Sequence, residues 1–419
     1  MSRKVYVAGA AHTPFIGKFH PDFIWKKHPD FGSRENPSLE DYVHRAALAA
    51  LEHAGAEPSQ VDKAYVGNFV GELFSNQGHL GAVLAAAHPG LEGVASMRVE
   101  GACASGALAV SAGVDAIKAG ADVVLVVGAE VQTTENAKVG ADYLARAAHY
   151  RTQREIDPFT FPALFARRMQ AYQEAFGLEQ GELAKVVVNA YQNANKNPFA
   201  HMRTVNMTLD NASEASDKNP CFLDNQELKP FMKVSDCSQV SDGGSAIVLC
   251  SEEGLKKIGR AVAQTVEVIA NAQATGPITG PADLTRMDVT KTAADRAYAQ
   301  AGVKPSDVQV AEVHDCFAVA QLLAVEALGF ADGPGGARKL IDEGAMAIDG
   351  RIPVNTGGGL MAFGHPVGAT GVKQIGELYR QLHGQCGDYQ VPGNPTLGLA
   401  QNMGGDDRTA VVTIVRKPS

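Results

Sequence analysis

The chain has 419 residues, enough for more than one hydrophobic core, and an ordinary globular composition with 45% hydrophobic and 20% charged residues. A formal net charge of −9 argues against a dedicated nucleic-acid or anionic-membrane partner, while leaving room for a local basic patch around a phosphorylated ligand. No apolar run approaches the ~20 residues that span a bilayer, the start MSRKVYVAGAAHTP lacks a secretory apolar stretch and the end RKPS is not a Ser-Lys-Leu address, and the six cysteines (103, 221, 237, 250, 316, 386) form no C-x-x-C pair, so the expectation is a cytoplasmic protein with free thiols and no metal site.

In chain order, VYVAGA (Val5 to Ala10) predicts a first strand. An aromatic insertion follows, FHPDFIWKKHPDFGSREN (Phe19 to Asn36), with the sole tryptophan, Trp25. HRAALAALEH predicts a helix, and AGAEPSQVDKAYVG (Ala54 to Gly67) leads from it into a β-favouring run. In RVEGACASGALAVSAGVDAIKAG (Arg98 to Gly120) a β-like run ends at Gly101 and a helix of small residues begins near Ala104. Cys103 then lies at a helix N-terminus, where free amides and the helix dipole favour a thiolate. A small buried core residue is the alternative. ADVVLVVGAE (Ala121 to Glu130) predicts a buried strand, separated from the next, SAIVL (Ser245 to Leu249), by a polar stretch of about a hundred residues. An insertion of that length is expected to be a loop subdomain over a ligand site.

The second half repeats the first. VEVIAN (Val266 to Asn271) matches VYVAGA, AGVKPSDVQVAEVH (Ala301 to His314) matches AGAEPSQVDKAYVG, and LGLAQNMGGD (Leu397 to Asp406) parallels ADVVLVVGAE. A duplicated α/β unit is therefore expected, with halves 1–255 and 256–419 and the insertion at about 130–240. VQVAEV (Val308 to Val313) reads as a strand and FAVAQLLAVEALG (Phe317 to Gly329) as a buried helix, with His314, Asp315 and Cys316 in the turn between them. NTGGGLMAFGHPVGATGVKQIGEL (Asn355 to Leu378) holds His365 between Gly364 and Pro366, just before a helical run. A histidine fixed there can act as a general base, or be a loop residue satisfied by backbone. All three motifs read as strand-to-helix junctions, where open α/β sheets bind ligands. A cysteine nucleophile, a histidine base and a second thiol make an acyl-transfer set.

EGACASGA around Cys103, HDCF at His314 to Phe317, GGGLMAFGHPVGATG ending at Gly371 and SDGGSAIVL (Ser241 to Leu249) together resemble the thiolase superfamily over essentially the whole chain. Where ordinary thiolases carry N-E-A-F and a C-terminal C-x-G, this chain has His314-Asp315-Cys316-Phe317 and Asn402-Met403-Gly404. That pattern is similar to the sterol-carrier-protein-type and archaeal-type thiolases. The resemblance implies two βαβαβαββ halves in an αβαβα layering, and an acyl-CoA:acetyl-CoA C-acyltransferase. It implies Cys103 as nucleophile, His365 as its base, Cys316 as acid/base on the α-carbon and His314 as holder of an oxyanion-hole water. The backbone amides of Cys103 and Gly404 would serve the tetrahedral intermediate. Acyl-CoA and CoA are the implied substrates, with no resident cofactor, and a homodimer or homotetramer is expected. Some relatives of this subtype also work with a channelling partner protein. Lys196 and Arg203 are candidates for the CoA phosphates, with solvated surface charge as the alternative. Asn271 and Thr275, in and beside NAQATG, are candidates for the pantetheine path. A β-ketoacyl synthase and a non-catalytic acyl-CoA-binding scaffold are the rival readings.

Overall fold

The computed structural model describes residues 3–418. Nine strands form one mixed sheet: β1 (Tyr6–His12), β2 (Lys63–Gly67), β3 (Ala95–Val99), β4 (Val123–Glu130), β5 (Gly243–Cys250), β6 (Val266–Thr275), β7 (Val310–Glu312), β8 (Leu397–Gly404) and β9 (Thr409–Arg416). Their order is β3-β2-β4-β5-β1-β6-β9-β8-β7. Outward from the β1–β6 join, one side runs β5, β4, β2 and the other β9, β8, β7, so the sequence repeat is a repeat of topology. The equivalence extends to irregularities. β1 shifts register against β5 between Val7 and Gly9, and β6 shifts against β9 between Val268 and Ala270.

Seven helices position the site: α1 (Leu39–Ala54), α2 (Ser105–Lys118), α3 (Thr160–Phe176), α4 (Gln180–Asn195), α5 (Asp288–Ala301), α6 (Ala318–Ala327) and α7 (Val367–Leu382). α1 begins with a Ser38/Asp41 capping box and ends at left-handed Gly55, and its counterpart α5 ends at left-handed Gly302. α1 covers the outer face of β1, β4 and β5, and α5 that of β6 and β9. Between the two halves lie α2 and α7, giving the expected five-layer αβαβα arrangement. β4 and β8 are buried along their whole length, as strands covered on both faces must be, which is why VVLVV reads as an unbroken apolar run.

The central helices meet through glycine. A Cβ on Gly371 would come within 2.3 Å of the Ala107 amide nitrogen, and one on Gly106 within 2.5 Å of the Gly368 carbonyl oxygen. This close approach sets the distance between the two halves. The insertion between β4 and β5 carries α3 and α4, which pack on α6. It also binds the histidine loop directly, since His201 N and Met202 N donate to the carbonyls of Phe363 and Ala362.

Candidate active site

Cys103 sits in a short 3₁₀ turn, Ala102 to Ala104, ahead of α2. Ala102 has φ +53°, a left-handed conformation costing a non-glycine residue about 1–3 kcal/mol and typical of functional turns. Three hydrogen bonds hold it: Gly101 N donates to Ser105 Oγ (3.0 Å), Ser105 Oγ to the Ala102 carbonyl (2.6 Å), and Ala102 N to Glu100 Oε1 (2.6 Å). The end of β8 presses on this turn, because a Cβ on Gly404 would stand 2.1 Å from the Gly101 carbonyl oxygen. The Gly405 amide reaches the Cys103 sulfur, partly offsetting a burial that pushes the thiol up to about 12. Burial thus works against the acidified thiolate expected from the helix N-terminus.

His314, Asp315 and Cys316 follow β7 as expected, all buried, but they do different things. Asp315 is committed to the backbone of the glycine-rich loop. Its Oδ1 accepts from Leu360 N at 2.6 Å, and a Cβ on Gly359 would lie 2.1 Å from its Oδ2. The triple glycine thus lets the loop close over this carboxyl, which burial raises to about 6. Asn355 secures the same junction, accepting from Val313 N (2.8 Å) and donating to its carbonyl (3.2 Å). The Cys316 thiol is driven well above its ordinary range by burial and then by Cys103, whose charge it would feel.

His365 follows a short helix, Gly359–Phe363, so its turn joins two helices and is not the strand-to-helix junction expected from sequence. Its ring meets that of His314 edge to face, with centroids 4.9 Å apart. Nδ1 of His365 lies 2.7 Å from Thr370 Oγ1, and Nδ1 of His314 lies 2.8 Å from Asn402 Nδ2. Burial lowers His365 to about 3 and His314 well below its usual value. One ring nitrogen from each histidine and the Cys103 sulfur all lie within 4.8 Å of one another. Cys103 is the least covered of the four candidates. Such a Cys-His-His set has the ligand types of a soft metal site. It also has those of a nucleophile, a base and a donor.

Two features behind the site escaped the sequence reading. Glu130, fully buried, accepts from Asn68 Nδ2 (2.9 Å), Phe69 N (2.8 Å), Val70 N (3.1 Å) and Gly368 N (3.1 Å). It clamps the N-terminus of α7, and with it His365, to the first half; burial lifts its carboxyl to about 7 against the three backbone donors and the charge of Arg98. A buried charge chain ties β7 to α7: Lys373 Nζ stands 3.1 Å from Glu312 and 3.5 Å from Glu377, which Arg380 meets at 2.8 Å. Glu312 is 61 residues from Lys373, whereas Lys373–Glu377 and Arg380–Glu377 are i,i+4 and i,i+3 pairs on one helix, so the helix pairs and Glu130's place at the end of an apolar strand were the available signals.

The remaining sequence candidates are dispersed. Lys196 is exposed at the end of α4. Arg203 is bonded to His20 of the aromatic insertion, and Trp25 is exposed. Asn271 bonds Thr413 across β6 and β9 at 2.9 Å, and Thr275 is exposed at the end of β6.

The Thiolase, N-terminal domain family model matches residues 26–253, and the Thiolase C-terminal domain-like model matches residues 270–417. The chain is 38% identical over 384 residues to an acetyl-CoA acetyltransferase of Methanothermobacter thermautotrophicus, covering 90% of this chain and 94% of that protein. It is 31% identical over 392 residues to sterol carrier protein 2 of Oryctolagus cuniculus, covering 90% and 67%. Among solved structures, the Ltp2-ChsH2(DUF35) aldolase superposes with a TM-score of 0.76 at 24% identity, covering 98% of this chain and 97% of that one.

Proposed function

The chain belongs to the thiolase family, and on that premise we propose that it joins or cleaves 3-ketoacyl-CoA through an acyl group carried on Cys103. The observation that carries this reading is the convergence of the Cys103 sulfur with both histidines inside 4.8 Å, with a second buried thiol, Cys316, two residues after His314. The pair of buried, neutral groups acts by passing a proton during attack. As Cys103 Sγ bonds the thioester carbon, its proton moves to His365, and the departing CoA sulfur takes that proton away. The Cys103 and Gly404 amides, with Gly405 beside them, serve the tetrahedral oxyanion. Cys316, as the thiolate left when its own proton passes to His365, then removes a proton from the α-carbon of acetyl-CoA; the carbanion attacks the acyl carbon, the bond from that carbon to the Cys103 sulfur breaks, and the Cys103 sulfur takes the proton back from His365. In thiolysis Cys316 returns that proton.

Acyl-CoA and CoA are the proposed substrates, without a resident cofactor. Lys196, being exposed and uncommitted to a salt bridge among the described residues, is the proposed contact for the CoA phosphates; Arg203, Asn271 and Thr275 retain weaker claims. The free thiols favour a cytoplasmic protein, and no helix among the described residues is long and apolar enough to cross a membrane. A homodimer or homotetramer is proposed. A channelling partner is supported by one structural neighbour, whose name carries a DUF35 component beside the Ltp2 chain. The test is cleavage of acetoacetyl-CoA by the purified protein with free CoA. Activity abolished in Cys103→Ala is expected; activity that survives in that variant would reject the acyl-Cys103 route.

A further inference from the structure

Cys103, His314 and His365 come from segments remote in sequence, so no metal-binding spacing announces them. In the folded chain the Cys103 sulfur and one nitrogen of each ring lie within 4.8 Å of one another, the only such group of three or more His, Cys, Asp or Glu ligands among the described residues. Three atoms so placed share a point no more than about 2.8 Å from each, whereas zinc bonds sulfur at about 2.3 Å and imidazole nitrogen at about 2.0 Å. Each ligand needs to close by less than about 1 Å to bind an ion there, a small side-chain rotation. The far side of each ring is braced as in histidines that hold a metal. His365 Nδ1 stands 2.7 Å from the Thr370 hydroxyl, and His314 Nδ1 stands 2.8 Å from the Asn402 amide, so the nitrogen each ring offers the pocket is Nε2. A hydroxyl rotates and an amide turns over, so both braces can accept a ring N–H. Asn402 Oδ1 is buried without a partner among the described residues; turned toward His314, it is the acceptor that a metal-bound ring calls for.

We propose that Cys103, His314 and His365 bind one soft divalent cation, zinc above all, as a reversible inhibitor that competes with acylation. One sulfur and two imidazole nitrogens are ligands that suit zinc and leave its fourth position to water. On binding, Cys103 Sγ releases its proton to solvent and forms the metal–sulfur bond, each histidine contributes the lone pair of one nitrogen, and nothing is oxidised or reduced. The inhibition rests on the thiolase reading; the binding does not. The metal occupies the sulfur electron pair that would attack the thioester and the His365 lone pair that would take the proton. An acyl group on Cys103 in turn removes the anionic ligand, so metal and acyl group exclude each other. Cys103 is only partly buried whereas both histidines are buried, so an arriving ion meets the sulfur first.

The experiment is titration of the purified chain with cobalt(II), a coloured stand-in for zinc, followed by its sulfur-to-metal charge-transfer absorbance. One cobalt per wild-type chain should give that band together with the intense visible bands of a four-coordinate site. The charge-transfer band should vanish in Cys103→Ala and in wild type first acetylated with acetyl-CoA, and persist in Cys316→Ala. His314→Asn and His365→Asn should each weaken binding by about tenfold or more. Zinc added before acetyl-CoA should block acetylation of Cys103, read by intact mass, and EDTA should restore it. No charge-transfer band in the folded wild type, or a band that survives in Cys103→Ala, would overturn the site. Acetylation that proceeds unchanged with zinc bound would overturn the inhibition. The spectra need no turnover: a band in a protein that acetyl-CoA fails to acetylate upholds the metal site and rejects the thiolase reading, and acetylation without a band does the reverse.

Discussion

At the scale of single residues, protonation governs the chemistry. Burial holds Cys103 near 12 and His365 near 3, so both stay neutral between those limits. No thiolate–imidazolium pair forms at rest, unlike the cysteine–histidine pairs whose thiols are acidified. Thiolate ultraviolet absorbance, taken as wild type minus Cys103→Ala, should therefore be absent from about pH 6 to about pH 9. A thiolate signal at neutral pH would refute this. The two thiols also divide the work under the proposed mechanism. Cys316→Ala should still accept an acetyl group on Cys103 while condensation falls by about a hundredfold or more, read with radiolabelled acetyl-CoA. Loss of labelling together with condensation would show that Cys316 is needed for the first step as well. Sequence exposed the residue types and the missing C-x-G cysteine. It showed the N-terminal dipole at Cys103 but not the burial that works against it. The structural role of Asp315 was not visible either, because its partner Leu360 is 45 residues away.

At the scale of elements, the site depends on how closely α2 and α7 approach. Gly371→Ala forces a Cβ to 2.3 Å from the Ala107 amide nitrogen, backbone that cannot swing aside. Overpacking of this kind costs about 1–3 kcal/mol, measurable by denaturant titration, and it should also slow acylation by moving His365 relative to Cys103. An unchanged midpoint and rate would mean that the contact relaxes freely. Glu130→Gln replaces an acceptor of four N–H groups with a side chain that turns one donor toward donors. A loss of about 3 kcal/mol is expected, and a loss below about 0.5 kcal/mol would show that water takes over the lost bonds. The strands other than β9, and α1, α2, α6 and α7, were legible from periodicity and glycines. The turn before His365 was not, because the short helix Gly359–Phe363 is held by Asp315 rather than by its own sequence.

At the scale of the molecule, the two halves share a core and a site. Val124, Ile247 and Val5 of the first pack in one cluster with Val310, Ile375 and Val415 of the second, and β1 pairs with β6 through Tyr6–Glu267 and Val7–Val266. The halves should therefore unfold together, with coincident near- and far-ultraviolet circular dichroism transitions; two separated transitions would contradict a shared core. Duplication is what made the architecture readable, since each repeated motif predicted its partner's place in the sheet.

The most direct test of the account is the intact mass of the protein after incubation with acetyl-CoA, compared with Cys103→Ala and Cys316→Ala. One acetyl group on the wild type and on Cys316→Ala, and none on Cys103→Ala, is the predicted result. An acetyl group retained by Cys103→Ala, or absent from the wild type, would contradict a covalent route through Cys103.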